Sequence, residues 1–375
     1  MFGKRITLFT IFGFTVRLDL SWILLAILVA SSMSSGFQAP PDAFPVTVAW
    51  IMGAAMAVGL FVSIVAHELT HSLVGRMHGM RMKGITLFFL GGVAEMEDEP
   101  ATPWAEFAMA IVGPLASVVI AVLLAGVWYL GQALGWPLAF ITVVQTLAVM
   151  NAVLAVFNMV PAFPLDGGRV LRSILWGLKG NLLWATRIAS ILGVGFGVVL
   201  IGAGVVLIAW QRQWQALTWV FIGFFLLRAA RVPYQQLLVR QSLDGQPVRR
   251  FLEAEPIVVP RWIPLSEFVQ DFVYRHRARV FPVVDHAGLT GIISADSLRS
   301  VPQEEWPTRS VGELTVPMPI ERMIGADESA GVALERMARG GLPQLFVIED
   351  GRLEGVVRFA AIAEFLQLRR ELEGK

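Results

Sequence analysis

Hydrophobic residues in this chain come in long charge-free blocks, and the blocks have the length of a bilayer crossing. No Asp, Glu, Lys or Arg stands between positions 19 and 42, and residues 46–75 are apolar until His67. Residues 107–165 carry no charge at all. That block is too long for one helix and breaks at the Gly- and Pro-containing residues 131–137, giving a third and a fourth span. A fifth lies between Arg187 and Arg212, and a sixth between Gln213 and Leu227. A helix needs about 20 apolar residues to cross the hydrocarbon core; the sixth reaches that length only if it continues past Arg228. The pattern therefore predicts about six transmembrane helices.

Two stretches do not fit simple spans. Residues 6–18 are rich in Phe, Ile, Thr and Val with Gly13 near the middle, which predicts a short hairpin at the membrane surface. Residues 84–97, GITLFFLGGVAEME, are apolar but too short to cross and hold a Gly-Gly pair; they read as a hairpin or re-entrant strand pair. Such backbone sits at membrane depth only where protein or a watery cavity satisfies its polar groups. The acidic residues Glu95, Glu97, Asp98 and Glu99 read as a solvated loop.

Beyond about position 241 charges become frequent and apolar runs shorten to four or five, which marks a soluble domain. It contains a repeat: VVDHAGLTGII at 283–293 matches VIEDGRLEGVV at 347–357 at a constant offset of 64. Each copy reads strand, turn, strand, then a helix beginning near Asp296 or Ala360. The expected organisation is a membrane domain at 1–240 and an α/β domain at 241–375, with repeats at about 247–301 and 310–367.

Composition narrows the chemistry. The chain is 55% hydrophobic and 16% charged with a net charge of +1, so it offers no basic excess for nucleic acid. It has no cysteine, so a metal site must use His and carboxylate. Arg17 and Asp19 interrupt the first apolar run and no small-residue cleavage site follows, so the N-terminus does not read as a signal peptide. Lys and Arg fall in alternate loops: Lys4, Arg5 and Arg17; Arg76, Arg81 and Lys83; Arg169, Arg172 and Lys179; Arg231 and Arg240. The opposite loops hold only Arg212, which places both termini in the cytoplasm.

HELTH at 67–71 lies near the cytoplasmic end of the second span. At i and i+4 on a helix, His67 and His71 share a face and can bind one cation, with Glu68 beside them as a general base. Three ionisable groups in an apolar helix are costly and by default functional; paired helix-end polar groups are the plainer alternative. A catalytic site needs a third ligand and an open position. Asp166, the first charge after the long neutral block, falls at the end of the fourth span, on the same side and at similar depth. Pro161, Pro164 and Gly167–Gly168 are expected to break the helix there and let the carboxylate turn inward.

These residues resemble the site-2 protease family of intramembrane metalloproteases: HELTH, followed on a later span by Asn158, Pro161 and Asp166–Gly167 as N-x-x-P…D-G. GFTVRLDLSW at 13–22, LGGVAEME at 90–97 and GPLAS at 113–117 agree. The resemblance covers about residues 1–240. It implies one zinc ion per chain held by His67, His71 and Asp166, with Glu68 as base. It further implies hydrolysis of a peptide bond within the transmembrane segment of a membrane-protein substrate, in the lipid bilayer. Asn158 would position or polarise the scissile backbone, and the hairpin at 84–97 would hold the unwound substrate as an added strand.

The C-terminal repeat resembles a pair of CBS motifs forming one regulatory module. Such modules commonly hold adenosine through G-h-h-T/S-x-x-D, and this chain departs from that pattern. The first copy has Gly291, Ser294 and Ser297, with Asp296 one place early; the second has Gly355, Arg358 and Ala361. The departures favour a structural role or homodimerisation through the pair over adenine nucleotide binding. Two other readings of the whole chain are a metal transporter and a non-catalytic membrane scaffold. The outer halves of the spans lack the ionisable residues that a transport path needs.

Overall fold

The computed structural model describes residues 5–40, 43–88, 91–96, 100–276, 278–286 and 288–373. The chain divides into two compact units, Met1–Gln235 and Gln236–Lys375.

The first unit opens with the expected hairpin, β1 (Arg5–Ile11) and β2 (Phe14–Asp19), turning at Phe12–Gly13. Asp19 ends β2 and caps the next helix, its carboxylate accepting from the Ser21 backbone N–H at 2.9 Å. The helices α1 (Leu20–Phe37) and α2 (Val46–Met77) follow. A second hairpin, β3 (Met82–Phe88) and β4 (Gly91–Met96), precedes α3 (Pro103–Ala133) and α4 (Leu138–Asn158). Thr102 caps α3 with its hydroxyl on the Ala105 N–H, and Pro103 takes the first helical position, where its missing donor costs nothing. Then come α5 (Asp166–Lys179), α6 (Leu182–Gln211), α7 (Leu217–Ala229) and α8 (Val232–Leu243).

Six segments are long and apolar enough to cross a membrane: α1, α2, α3, α4, α6 and the run Leu217–Leu243 that joins α7 to α8. The sixth thus does continue past Arg228. Large apolar side chains such as Ile51, Val62, Val122, Leu123 and Val199 are exposed on these helices. In water they would form an aggregation-prone surface; against lipid they are the solvated face. α2 is the most enclosed span.

The two hairpins are not independent. They join into one four-stranded sheet in the order β1-β2-β3-β4, with β2 and β3 parallel and Thr15 opposite Gly84. Val16, Ile85 and Leu87 pack under the sheet against Ile64 and Val65 of α2, the turn that precedes His67. This packing sets β4, an edge strand, beside the HELTH segment. Glu97, Asp98 and Glu99 of the acidic run lie outside the described residues.

The second unit is built of two matching halves. In one, β5 (Val259–Pro260) precedes a helical segment in which α9 (Leu265–Glu267) runs on into π-turns at Phe268–Tyr274. The hairpin β6 (Val280–Asp285) and β7 (Gly288–Ser294) follows. After α10 (Val311–Leu314), the other half has β8 (Met323–Ile324), α11 (Ala330–Gly340), β9 (Gln344–Glu349), β10 (Arg352–Arg358) and α12 (Phe359–Glu373). Both halves pair the first strand parallel to the second and the second antiparallel to the third. The helix expected near Ala360 is α12. Its counterpart near Asp296 is only a 3-10 turn, Ala295–Ser300, where Ser294 and Ser297 hydroxyls engage the local backbone instead of leaving it to α-helical bonding.

The halves also exchange segments. Val248 and Phe251 lie in the core of the second half with Ile324, Leu345, Val347 and Val357. Val311 lies in the core of the first with Val259, Phe281, Val283 and Ile293. Between the two sheets Val280, Ile292, Phe346 and Val356 form a shared core.

Candidate metal centre

The second half of α2 carries His67 and His71 on one face, both buried, with ring centroids 4.8 Å apart. From Val46 to His67 the helix rises about 32 Å at ~1.5 Å per residue, which places the pair near one end of a bilayer crossing. The two Nε2 atoms are 3.2 Å apart. Asp166 brings Oδ2 to 3.1 Å from His67 Nε2 and 3.3 Å from His71 Nε2. Ligand atoms on a tetrahedral ion at bond lengths of roughly 2.0–2.1 Å stand about 3.3 Å apart. The three observed separations therefore match three corners of one tetrahedron, and the set of two imidazoles and one carboxylate suits zinc.

α3 fixes how the histidines point. His71 Nδ1 donates to the Met109 carbonyl at 2.6 Å, and since a carbonyl only accepts, Nδ1 holds the proton and Nε2 is left with its lone pair. His67 Nδ1 lies 2.9 Å from Ser117 Oγ, which accepts when that nitrogen is protonated. Met109 and Ser117 are two helical turns apart on one face, and Gly113 lies between them. A Cβ at Gly113 would stand 2.1 Å from His71 Nε2 and 2.7 Å from His67 Nε2. The glycine leaves open the space where the three ligand atoms converge, which is what a bound ion requires.

Asp166 reaches this space from α5, not from a broken loop as expected. It is the first residue of that helix, and Gly167 and Gly168 belong to the first turn. A Cβ on Gly167 would meet the Met159 and Val160 carbonyls at 2.4 Å, and one on Gly168 would meet Ala162 and Phe163 backbone at 2.5 Å. The glycines let the helix start directly against the preceding loop; they do not break it.

Glu68 is half-buried beside the ligand face, and its carboxylate has no hydrogen bond or ion pair among the described residues. Its Cγ lies where a Cβ on Gly92 of β4 would need to be, at 2.5 Å. The edge strand thus passes directly over Glu68. Asn158 is the last residue of α4 and half-buried, and Pro161 is exposed in the connection to α5. Neither is hydrogen-bonded to the His67–His71–Asp166 group among the described residues.

Several residues at the site have contacts there to which the motifs assigned no role. Ser117 and Gly113 are the ends of GPLAS, whose small residues look like ordinary helix packing. Asn151 is fully buried and donates to Ser63 Oγ at 3.0 Å, one turn before His67. Glu106 and Arg172 form a buried ion pair between α3 and α5.

Comparison with known proteins gives the family. The model of peptidase family M50 matches residues 55–136 and 128–202, and the CBS domain model matches 311–368. The chain is 32% identical over 97% of its length, and 96% of the other, to "Putative zinc metalloprotease sll0528" of Synechocystis. It is 31% identical over 96% of its length, and 92% of the other, to Rip3 of Mycobacterium tuberculosis, which bears the same designation. Among solved structures it is similar to the site-2 protease from Methanocaldococcus jannaschii, at 29% identity over 62% of this chain and 95% of that one, with a TM-score of 0.44. Full-length identity to these relatives, on a six-span bundle with a buried His-His-Asp cluster, makes this chain a member of peptidase family M50, the site-2 protease family of membrane zinc metalloproteases, with a CBS module at its C-terminal end.

Proposed function

We propose that this chain is an intramembrane endopeptidase that hydrolyses a peptide bond in or next to the transmembrane segment of a membrane-protein substrate. In this reading His67, His71 and Asp166 hold one zinc ion and Glu68 is the general base. The observation that carries it is the convergence of two Nε2 atoms and one carboxylate oxygen, 3.1–3.3 Å apart, inside an apolar bundle. Zinc at that point supplies Lewis acidity for the scissile carbonyl and acidifies water.

The chain's own residues do the rest. Glu68 takes a proton from the attacking water and returns it to the leaving amine nitrogen as the C–N bond breaks. Among the described residues its carboxylate has no hydrogen bond or ion pair that would compete with that exchange. The β4 edge passes beside Glu68, so a substrate segment unwound and added to that edge would bring its backbone to the base. Asn158 and Pro161, on the path into Asp166, act in positioning that backbone. The alternation of Lys and Arg supports cytoplasmic termini and a site opening on that side.

For the CBS module the contacts favour a structural or dimerising role over adenine nucleotide. Arg358, which stands at the motif position of the second copy, donates to Glu253 at 2.6 Å. Ser297 donates to the Ser294 carbonyl at 2.6 Å. A cavity of about 540 Å³ in the first half is lined by Tyr274, Arg279, Asp296 and Arg299, and neither Ser297 nor Arg358 reaches it.

The test uses purified full-length protein with a transmembrane reporter substrate. Wild type should carry about one zinc per chain, and His67→Ala and Asp166→Ala should carry almost none. Glu68→Gln should keep its zinc while cleavage falls by roughly 10²–10⁴-fold. Zinc retained by both ligand variants would remove the site. Metal uptake by cells without reporter cleavage in the wild type would instead establish transport.

A further inference from the structure

Glu106 is fully buried in the first turn of α3, and Arg172 is 11% exposed on α5. Arg172 Nε donates to Glu106 Oε1 at 2.6 Å, and a second guanidinium nitrogen contacts the same oxygen. The guanidinium also lies over the Phe163 ring, 5.3 Å from its centroid, and Phe163 belongs to the connection that leads into Asp166. That connection is anchored on its other side, where the Phe163 N–H donates to the Ala189 carbonyl of α6 at 3.2 Å.

Each partner stands in the same helix as part of the centre. α3 carries Glu106, then Met109, Gly113 and Ser117, which orient and accommodate the two histidines. α5 carries Asp166 and, six residues on, Arg172. The ion pair therefore joins the helix that sets the imidazoles to the helix that delivers the carboxylate. A buried charge pair is a poor way to gain stability, since an apolar pair of similar volume generally does as well; where one is present its value lies in fixing register. Here the register is that of Asp166 relative to His67 and His71.

We infer that Glu106 and Arg172 are positioning residues for the metal centre, pinning α5 to α3 so that Asp166 Oδ2 meets the two Nε2 atoms at ligand distance. This rests on the reading of His67, His71 and Asp166 as metal ligands. Supporting groups of this kind typically change metal affinity by about 10–100-fold. Among the described residues neither is hydrogen-bonded to a ligand, so the pair acts through α5 and through the connection that carries Phe163.

The experiment uses full-length protein in detergent and the conservative variants Arg172→Lys and Glu106→Gln. Zinc affinity is read by competition with a chelator, and ligand geometry by the visible absorption of the cobalt-substituted protein. Thermal unfolding of the metal-free forms reports the fold. Arg172→Lys keeps the charge but cannot keep both the contact to Glu106 and the contact to Phe163. It should unfold near the wild-type temperature, bind zinc about 10–100-fold more weakly and show a shifted cobalt spectrum. Glu106→Gln should move the same readouts in the same direction. If both variants fold and bind zinc within twofold of wild type, the inference fails; where only one folds, that one decides. Loss of fold in both would also overturn it, because the pair would then hold the bundle and not the ligand. Failure of the wild type itself to bind zinc would instead refute the ligand assignment beneath it.

Discussion

The two units of this chain treat their polar side chains in opposite ways. In the membrane unit ionisable groups are scarce, and three of the deep ones converge, His67, His71 and Asp166 aiming their ligand atoms at one point, while Glu106 and Arg172 pair with each other. Glu68 stands next to the converging three, its carboxylate without a hydrogen bond or ion pair among the described residues. In the second unit charged residues are plentiful and are mostly consumed locally. Arg358 pairs with Glu253, Arg249 with Asp327, Arg336 with Glu328, and Ser297 folds back on Ser294. The contrast follows from solvent. A charge in lipid is retained only where it does something, whereas a charge at a water-facing surface costs little and pairs with whatever is near. Chemistry is therefore concentrated at one place in the first unit, and the repeat offers no comparable cluster among its described residues.

The comparison breaks most easily at Gly113. In Gly113→Ala the new methyl would sit 2.1 Å from His71 Nε2. Forcing an extra carbon into a packed core costs about 1–3 kcal/mol, so zinc affinity should fall by about 10–100-fold and cleavage with it. Chelator competition measures this, and unchanged affinity would mean that the ion lies elsewhere. Ser117→Ala removes the partner of His67 Nδ1 while leaving the ring in place; about a tenfold loss of zinc affinity is expected from the same assay.

In the second unit effects should be smaller. Arg358 and Glu253 are 58% and 38% exposed. Arg358→Ala should cost less than about 1 kcal/mol of stability in chemical denaturation and leave zinc content unchanged. Adenine nucleotide should give no heat with wild type; a strong signal lost in this variant would show that the pair opens to admit phosphate. The smallest effect concerns acid. The Ser310 backbone N–H, followed by Arg309, holds the exposed Glu313 carboxyl below its ordinary value. A depressed carboxyl stabilises the fold above the ordinary carboxylate range and loses that contribution as pH falls through the depressed value. Wild type should thus be slightly more stable than Glu313→Gln at neutral pH, with the difference vanishing in acid.

Much of this was legible beforehand, for a physical reason. In an apolar chain, charge is a sparse signal: HELTH stands out because its neighbours are silent, and Asp166 because it ends the long neutral block. Helical spacing alone puts His67 and His71 on one face. Gly13 marked the first hairpin and the Gly-Gly pair the second. What remained hidden depends on contacts distant in sequence. Nothing local reveals that β2 runs parallel to β3 and merges two hairpins into one sheet. The spacing of Met109, Gly113 and Ser117 has meaning only once α2 lies against it. Gly167 and Gly168 looked like breakers because a glycine pair usually is one; only the loop packed against them explains a helix starting there. Arg172 reads in the sequence only as one of the basic residues of a cytoplasmic loop, and Glu106 only as the last charge before the long neutral block.

The exchange of segments between the halves of the second unit has a consequence for synthesis. Val248 and Phe251 find their partners only when the strands up to Val357 exist, about a hundred residues later. At roughly 5–20 residues per second that wait lasts about 5–20 s on the ribosome. The core of the first half needs nothing beyond Val311 and Leu314 and can close early, whereas Val248 and Phe251 must wait for the second half to be made. Truncation within the last strand pair should therefore unravel the second half and strip the core shared by the two sheets, leaving the first-half core its own residues.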